Sequence, residues 1–160
     1  MTENPDVLPS HRFDERRLEE WLAANLYGFA GPMTVSEFKG GQSNPTYRLT
    51  TSGASYVLRR KPPGTLLPSA HAVDREYRII RALTETDVPV PRTFLLCEDE
   101  SIVGTMFYVM DFLDGRIFFD PRLPEVSSNH ERAVIFDAMN EVIAALHNVD
   151  YKSVGMGNFG

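Results

Sequence analysis

The sequence predicts an α+β domain: an antiparallel sheet made of hairpins, with helices before, between and after them. Three observations point there. Residues 33–61 contain three short runs rich in β-branched and aromatic residues, separated by glycine turns. A second hairpin pattern occupies 93–112. Helical spacing occurs in three segments, and only one lies between the strand groups, so the regular alternation of a doubly wound sheet is absent. At 42% hydrophobic and 24% charged over 160 residues, the composition is that of a globular chain.

Residues 1–12 are polar, with Pro5 and Pro9, and read as a flexible arm. A helix is predicted over 13–26, where Leu18, Trp21, Leu22 and Leu26 share one face. Gly28 and Gly31-Pro32 end it. Strands follow at 33–39, 46–51 and 55–61, turning at Gly40-Gly41 and Ser52-Gly53, and Lys61-Pro62-Pro63-Gly64 breaks the pattern. The next helix is predicted over 70–84, with Ser69 as its N-cap. Val88-Pro89-Val90-Pro91 is an extended connector. Strands at 93–97 and 103–112 flank the acidic loop Glu98-Asp99-Glu100. Leu113-Asp114-Gly115 turns the chain into a short 117–119 segment. A long helix is expected over 129–148, with Ile135, Ala138, Met139, Val142, Ala145 and Leu146 as its apolar stripe. The tail from 151 to 160 has no periodicity. The predicted organisation is thus an arm at 1–12, a lobe with its leading helix at 13–112, and a hinge, linker and helix at 113–160.

Sixteen basic against 22 acidic residues give a formal charge of -6, the wrong sign for a duplex nucleic-acid partner. No apolar run reaches the ~18 residues of a membrane helix, so no membrane association is expected. The single cysteine, Cys97, excludes an internal disulfide and a cysteine-based zinc site. The first residues carry neither a basic-then-apolar leader nor an Arg-rich presequence. A cytoplasmic location is the expectation.

Four features carry candidate chemistry. The loop Gly40-Gly41-Gln42-Ser43-Asn44 joins two strands. Its glycines let backbone N–H groups approach phosphate oxygens, and Ser43 and Asn44 add polar side chains; an ordinary hairpin with positive φ is the other reading. In Tyr56-Val57-Leu58-Arg59-Arg60, alternation puts Val57 and Arg59 on one face and Tyr56, Leu58 and Arg60 on the other. An apolar residue beside a cation suits a base and its phosphates, although cations at a strand end are commonly just solvated. Glu76 lies on the apolar stripe of the second helix with no basic residue three or four positions away. It is either half exposed or awaits a partner brought by the fold, and Arg59 is the candidate. Finally, the strand ending Met110-Asp111 runs into a turn at Leu113, where backbone groups can meet a planar heterocycle.

The order of these features is glycine-rich hairpin, strand cation, helix carboxylate, strand-to-hinge, which is the order of a kinase small lobe. The stretches FKGGQSNPTYRL, YVLRRKPPG, LLPSAHAVDREYRII, VPVPRTFLLCED and FYVMDFLDGRI resemble the aminoglycoside phosphotransferase/choline-kinase-like family. They most resemble its kinase-like domains related to those joined to acyl-CoA dehydrogenases. The resemblance implies a protein-kinase-like small lobe followed by the first helix of a truncated large lobe. It implies ATP, with Mg²⁺, as the nucleotide and a hydroxyl on a small molecule as phosphoryl acceptor. It places Gly40, Gly41, Gln42, Ser43 and Asn44 over the phosphates. Arg59 stands in for the phosphate-contacting lysine, with Glu76 as its ion-pair partner. Val57 lines the nucleotide face, Met110 backs the adenine, and the Asp111 C=O and Leu113 N–H meet its edge. Arginine in place of lysine presents a planar fork and argues against a protein kinase.

The family's catalytic loop and later metal-binding Asp have no counterpart here: His147 is followed by Asn148-Val149-Asp150. No catalytic residue and no metal ligand is therefore assigned, and the Mg²⁺ ligands are expected in a lobe that would follow Gly160. The expectation is an ATP-binding lobe that is not catalytically competent alone, with self-association through exposed apolar surface. The alternative is a non-catalytic nucleotide-binding or protein-interaction module.

Overall fold

Asp14 starts the first helix by accepting the Arg17 N–H at 3.0 Å, which satisfies one of the otherwise unpaired amides of the first turn. This and all that follows come from a computed structural model, which describes residues 4–38, 44–64 and 71–159. Helix α1 spans Glu15–Asn25 and is followed by strands β1 (Thr34–Glu37), β2 (Thr46–Thr50) and β3 (Ser55–Arg60). Helix α2 (Val73–Leu83), strands β4 (Thr93–Cys97) and β5 (Phe107–Asp111), and helix α3 (Asn129–His147) complete the order. The five strands form one antiparallel sheet in the order β1-β2-β3-β5-β4. The predicted α+β class and each predicted helix are present, and the sheet is the antiparallel one expected.

The chain divides into two units, Met1–Arg81 with Pro91–Phe112, and Ala82–Val90 with Leu113–Gly160. In the first, one sheet face carries Val35, Tyr47, Leu49, Tyr56, Leu58, Phe107 and Val109, packed with Leu18 and Leu22 of α1. The other face carries Tyr108, Leu96 and Met110, packed with Val73, Tyr77 and Ile80 of α2. The period-two pattern of β3 produces this division, because Val57 and Arg59 point away from the α1 side.

Several expectations change. Residues 4–12, expected as a loose arm, are pinned to the sheet. Val7 is 3% exposed within the main core, and the Asp6 carbonyl accepts the Glu37 N–H at 3.0 Å. Glu37 in turn accepts from Leu8 N at 2.9 Å and pairs with His11 Nδ1 at 2.6 Å. Polarity does not free this segment because its polar groups find partners on the edge strand β1. The strand expected from residue 103 starts only at Phe107, since Gly104 at φ 87 closes a turn onto the Glu100 carbonyl. The segment 117–119 forms no strand, and Ile117 and Phe119 are exposed. The expected N-cap Ser69 lies outside the described residues.

In the second unit, Ser128 caps α3 by accepting the Glu131 N–H at 3.0 Å, and Arg116 pairs with Glu131 at 2.7 Å. No residue of α3 is buried, and Met139, Val142 and Leu146 of its predicted stripe are exposed. No helix among the described residues is long and apolar enough to cross a membrane.

Candidate functional site: a strand guanidinium locked to a helix carboxylate

Direct cross-strand partners share a sheet face, so register identifies what surrounds Arg59. Its partners are Thr46 on β2 and Tyr108 on β5, and those of Val57 are Arg48 and Met110. Helix α2 lies over the Tyr108 end of this face, which brings Glu76 to Arg59.

Arg59 Nε donates to Glu76 Oε2 at 2.7 Å and Nη2 to Glu76 Oε1 at 3.4 Å, so one edge of the fork grips the carboxylate. Nη1 donates to Thr46 Oγ1 at 2.9 Å. A guanidinium has five N–H groups, so two, at the Nη1/Nη2 end, are left without a partner among the described residues. Glu76 is more heavily engaged: Asn44 Nδ2 also donates to Oε1 at 2.9 Å, and the Tyr108 hydroxyl to Oε2 at 3.3 Å. Burial, and then the negative charge of Glu76, push the Tyr108 phenol well above its ordinary value, so it stays a donor. The arrangement is a cation whose direction is set from behind and whose free end can accept an anion.

Of the residues predicted for the site, Asn44, Val57, Arg59, Glu76, Met110 and Asp111 fall in the first unit. Asn44, Arg59 and Glu76 are directly bonded to one another in series. Val57 is buried beside Met110. Asp111 ends β5, its N–H donating to the Arg92 carbonyl at 2.9 Å. Leu113 belongs to the second unit and is exposed. Gly40, Gly41, Gln42 and Ser43 lie outside the described residues.

Three residues escaped the sequence reading. Arg60, which was given no role, is 2% exposed. It donates to the Tyr47 hydroxyl, to the Val103 carbonyl and to the His11 carbonyl on the α1 side. The alternation that put Arg60 with Leu58 was the available signal. Arg48 lies flat on Phe112, its guanidinium carbon 4.0 Å from the ring centroid, and Phe112 stacks with Phe38 at 6.3 Å. Alternation with Tyr47 and Leu49 places Arg48 on the Val57 face. His71, whose Nδ1 is 2.9 Å from Asn44 Oδ1, gave no signal at all.

A separate cleft of about 390 Å³ in the second unit is lined by Glu85, Asp87 and Asp150 among others. Three carboxylates make it a poor host for phosphate.

A five-stranded antiparallel sheet whose strand guanidinium is held by a helix carboxylate defines a kinase-like lobe. Comparison with a solved structure agrees. A Ralstonia eutropha protein provisionally assigned as an aminoglycoside phosphotransferase superimposes with a TM-score of 0.79 at 50% identity, over 93% of this chain and 42% of that one. The chain belongs to the phosphotransferase enzyme family, whose model matches residues 34–160. It is 46% identical over 159 residues to acyl-CoA dehydrogenase family member 11 of Rattus norvegicus. It is 48% identical over 162 residues to probable acyl-CoA dehydrogenase IBR3 of Arabidopsis thaliana. These alignments cover 97% and 96% of the chain but only 20% of each relative.

Proposed function

We propose that the Arg59 face of the sheet binds the phosphates of ATP. The chain is then the nucleotide-binding lobe of a phosphotransferase that moves the γ-phosphoryl group to a hydroxyl on a small molecule. The observation that carries the reading is the Arg59–Glu76 pair. Three N–H groups of Arg59 are spent on Glu76 and Thr46, and among the described residues two have no partner and can meet an anion. Backbone amides of 40–43 and the side chain of Ser43 belong to the same proposal, with Asn44 bonded to Glu76 behind Arg59 rather than to phosphate, as do Val57 and Met110 for the base and Asp111 and Leu113 for its edge.

In the reaction, an O–P bond to the acceptor forms as the P–O bond to ADP breaks, and the hydroxyl proton leaves to a base. We assign that base to no residue of this chain. The proposal likewise assigns Mg²⁺ no ligand in this chain. Nucleotide binding is the activity this proposal assigns to these 160 residues. The relatives named acyl-CoA dehydrogenases suggest a hydroxylated acyl group as acceptor.

Calorimetric titration of ATP into the wild type and Arg59→Ala tests the reading. Saturable binding, weakened by about 1–3 kcal/mol when the charged hydrogen bonds are lost, is the expected result. If the wild type shows no saturable binding, or Arg59→Ala binds as well, the reading fails.

A further inference from the structure

We propose that His71 is a positioning residue for Arg59, acting through Asn44 and Glu76 although it touches neither the guanidinium nor the carboxylate. The proposal builds on the nucleotide reading for its ligand, and on the hydrogen-bond series itself for its mechanism. Both Glu76 oxygens accept N–H groups of Arg59, so Asn44 must turn its Nδ2 toward Oε1, 2.9 Å away. That leaves Asn44 Oδ1 facing His71 Nδ1 at 2.9 Å. Oδ1 is an acceptor, so Nδ1 carries the proton. Asn44 is 3% exposed, and reversing its amide would set its carbonyl against the carboxylate. The series His71 → Asn44 → Glu76 therefore has one direction, and Arg59 takes its own from the far end.

The backbone supplies an independent observation. His71 has φ 57, a left-handed conformation that a residue with a Cβ adopts at a cost. Its carbonyl accepts the Val73 N–H at 2.8 Å just before α2 begins. Histidine is among the residue types that tolerate this conformation, and here it aims the ring at Asn44. Its side chain is placed as a donor to a buried amide oxygen. Without that donor, Asn44 Oδ1 is buried and unpaired, and the amide is free to turn away from Glu76. Glu76 then loses one of the donors that set its plane, and the two free N–H groups of Arg59 lose their fixed aim.

Three proteins decide the matter: wild type, His71→Gly and His71→Asn. Both replacements tolerate a positive φ, and only asparagine puts an N–H near the position of Nδ1. In ATP calorimetry, His71→Gly is expected to bind about three- to tenfold more weakly, and His71→Asn within about twofold of wild type. Equal affinity for wild type and His71→Gly overturns the proposal, as does an asparagine variant as weak as the glycine one. If none of the three binds ATP, the nucleotide reading is lost and the positioning claim is judged by NMR. A wild-type His71 protonated at Nδ1, with an Arg59 Nε–H resonance that shifts in His71→Gly and not in His71→Asn, supports it. An Arg59 resonance indifferent to both substitutions refutes it.

Discussion

Arg59 and Arg60 are adjacent in the chain and opposite in surroundings. Arg59 faces α2 with a carboxylate partner, whereas Arg60 enters the α1 side and bonds only to uncharged oxygens. The strand's alternation separates them, and Tyr47 depends on the second. Burial is the main cause that pushes the Tyr47 phenol up to about 12, against a smaller lowering by Arg60. The native state thus holds this proton where the unfolded chain, titrating near 10, has released it. The sign follows: the contribution is fully present below pH ~10 and is lost as pH rises toward ~12, by up to about 1.4 kcal/mol per pH unit. Urea unfolding of wild type and Tyr47→Phe between pH 9 and 12 checks this, and the phenylalanine variant should lose stability less steeply. Parallel curves would show that Tyr47 is not responsible.

Helices α1 and α3 were equally legible, each from an apolar stripe, yet they differ in what they bury. Leu18 and Leu22 of α1 are fully enclosed, whereas Ile135 and Ala145 of the α3 stripe are only half-buried and the rest is exposed. A helix with so little packed surface depends mainly on propensity and capping, which are marginal even at about 15 residues. Asp14→Ala should therefore cost about 1 kcal/mol of the unfolding free energy of the sheet unit. Ser128→Ala should instead lower the amide protection of α3 and leave the unfolding midpoint of the sheet where it was. Hydrogen exchange read per residue separates the two. Protection in α3 as strong as in β3 would refute the account.

Across the whole molecule, the N-terminal segment is the clearest departure from expectation. Residues 4–12 pair with β1, bury Val7 and present the His11 carbonyl to both Arg60 and the Tyr47 hydroxyl. Removing residues 1–12 should lower the stability of the sheet unit by about 3–5 kcal/mol, from the lost apolar burial and the hydrogen bonds left unmade. A urea midpoint unchanged by the truncation would mean that these contacts stabilise nothing. The segment was illegible because its low hydrophobicity and two prolines describe the segment alone, while its partners are 26 to 49 residues away in the chain.

Local rules determined a good deal of this protein. Periodicity and glycine turns placed the three α-helices and five strands to within a few residues, because they depend on neighbours in the chain. The isolation of Glu76 on an apolar helix face, with Arg59 on a strand, was enough to anticipate their pairing. Only the tertiary structure decided what surrounds that pair: Asn44 and His71 behind it, Tyr108 beneath it, and Arg48 spread on Phe112 along the same face. The physical reason is that a hydrogen bond or a stacked ring is satisfied by whichever group packing brings within reach. Packing joins residues whose separation in the chain says nothing about their separation in space.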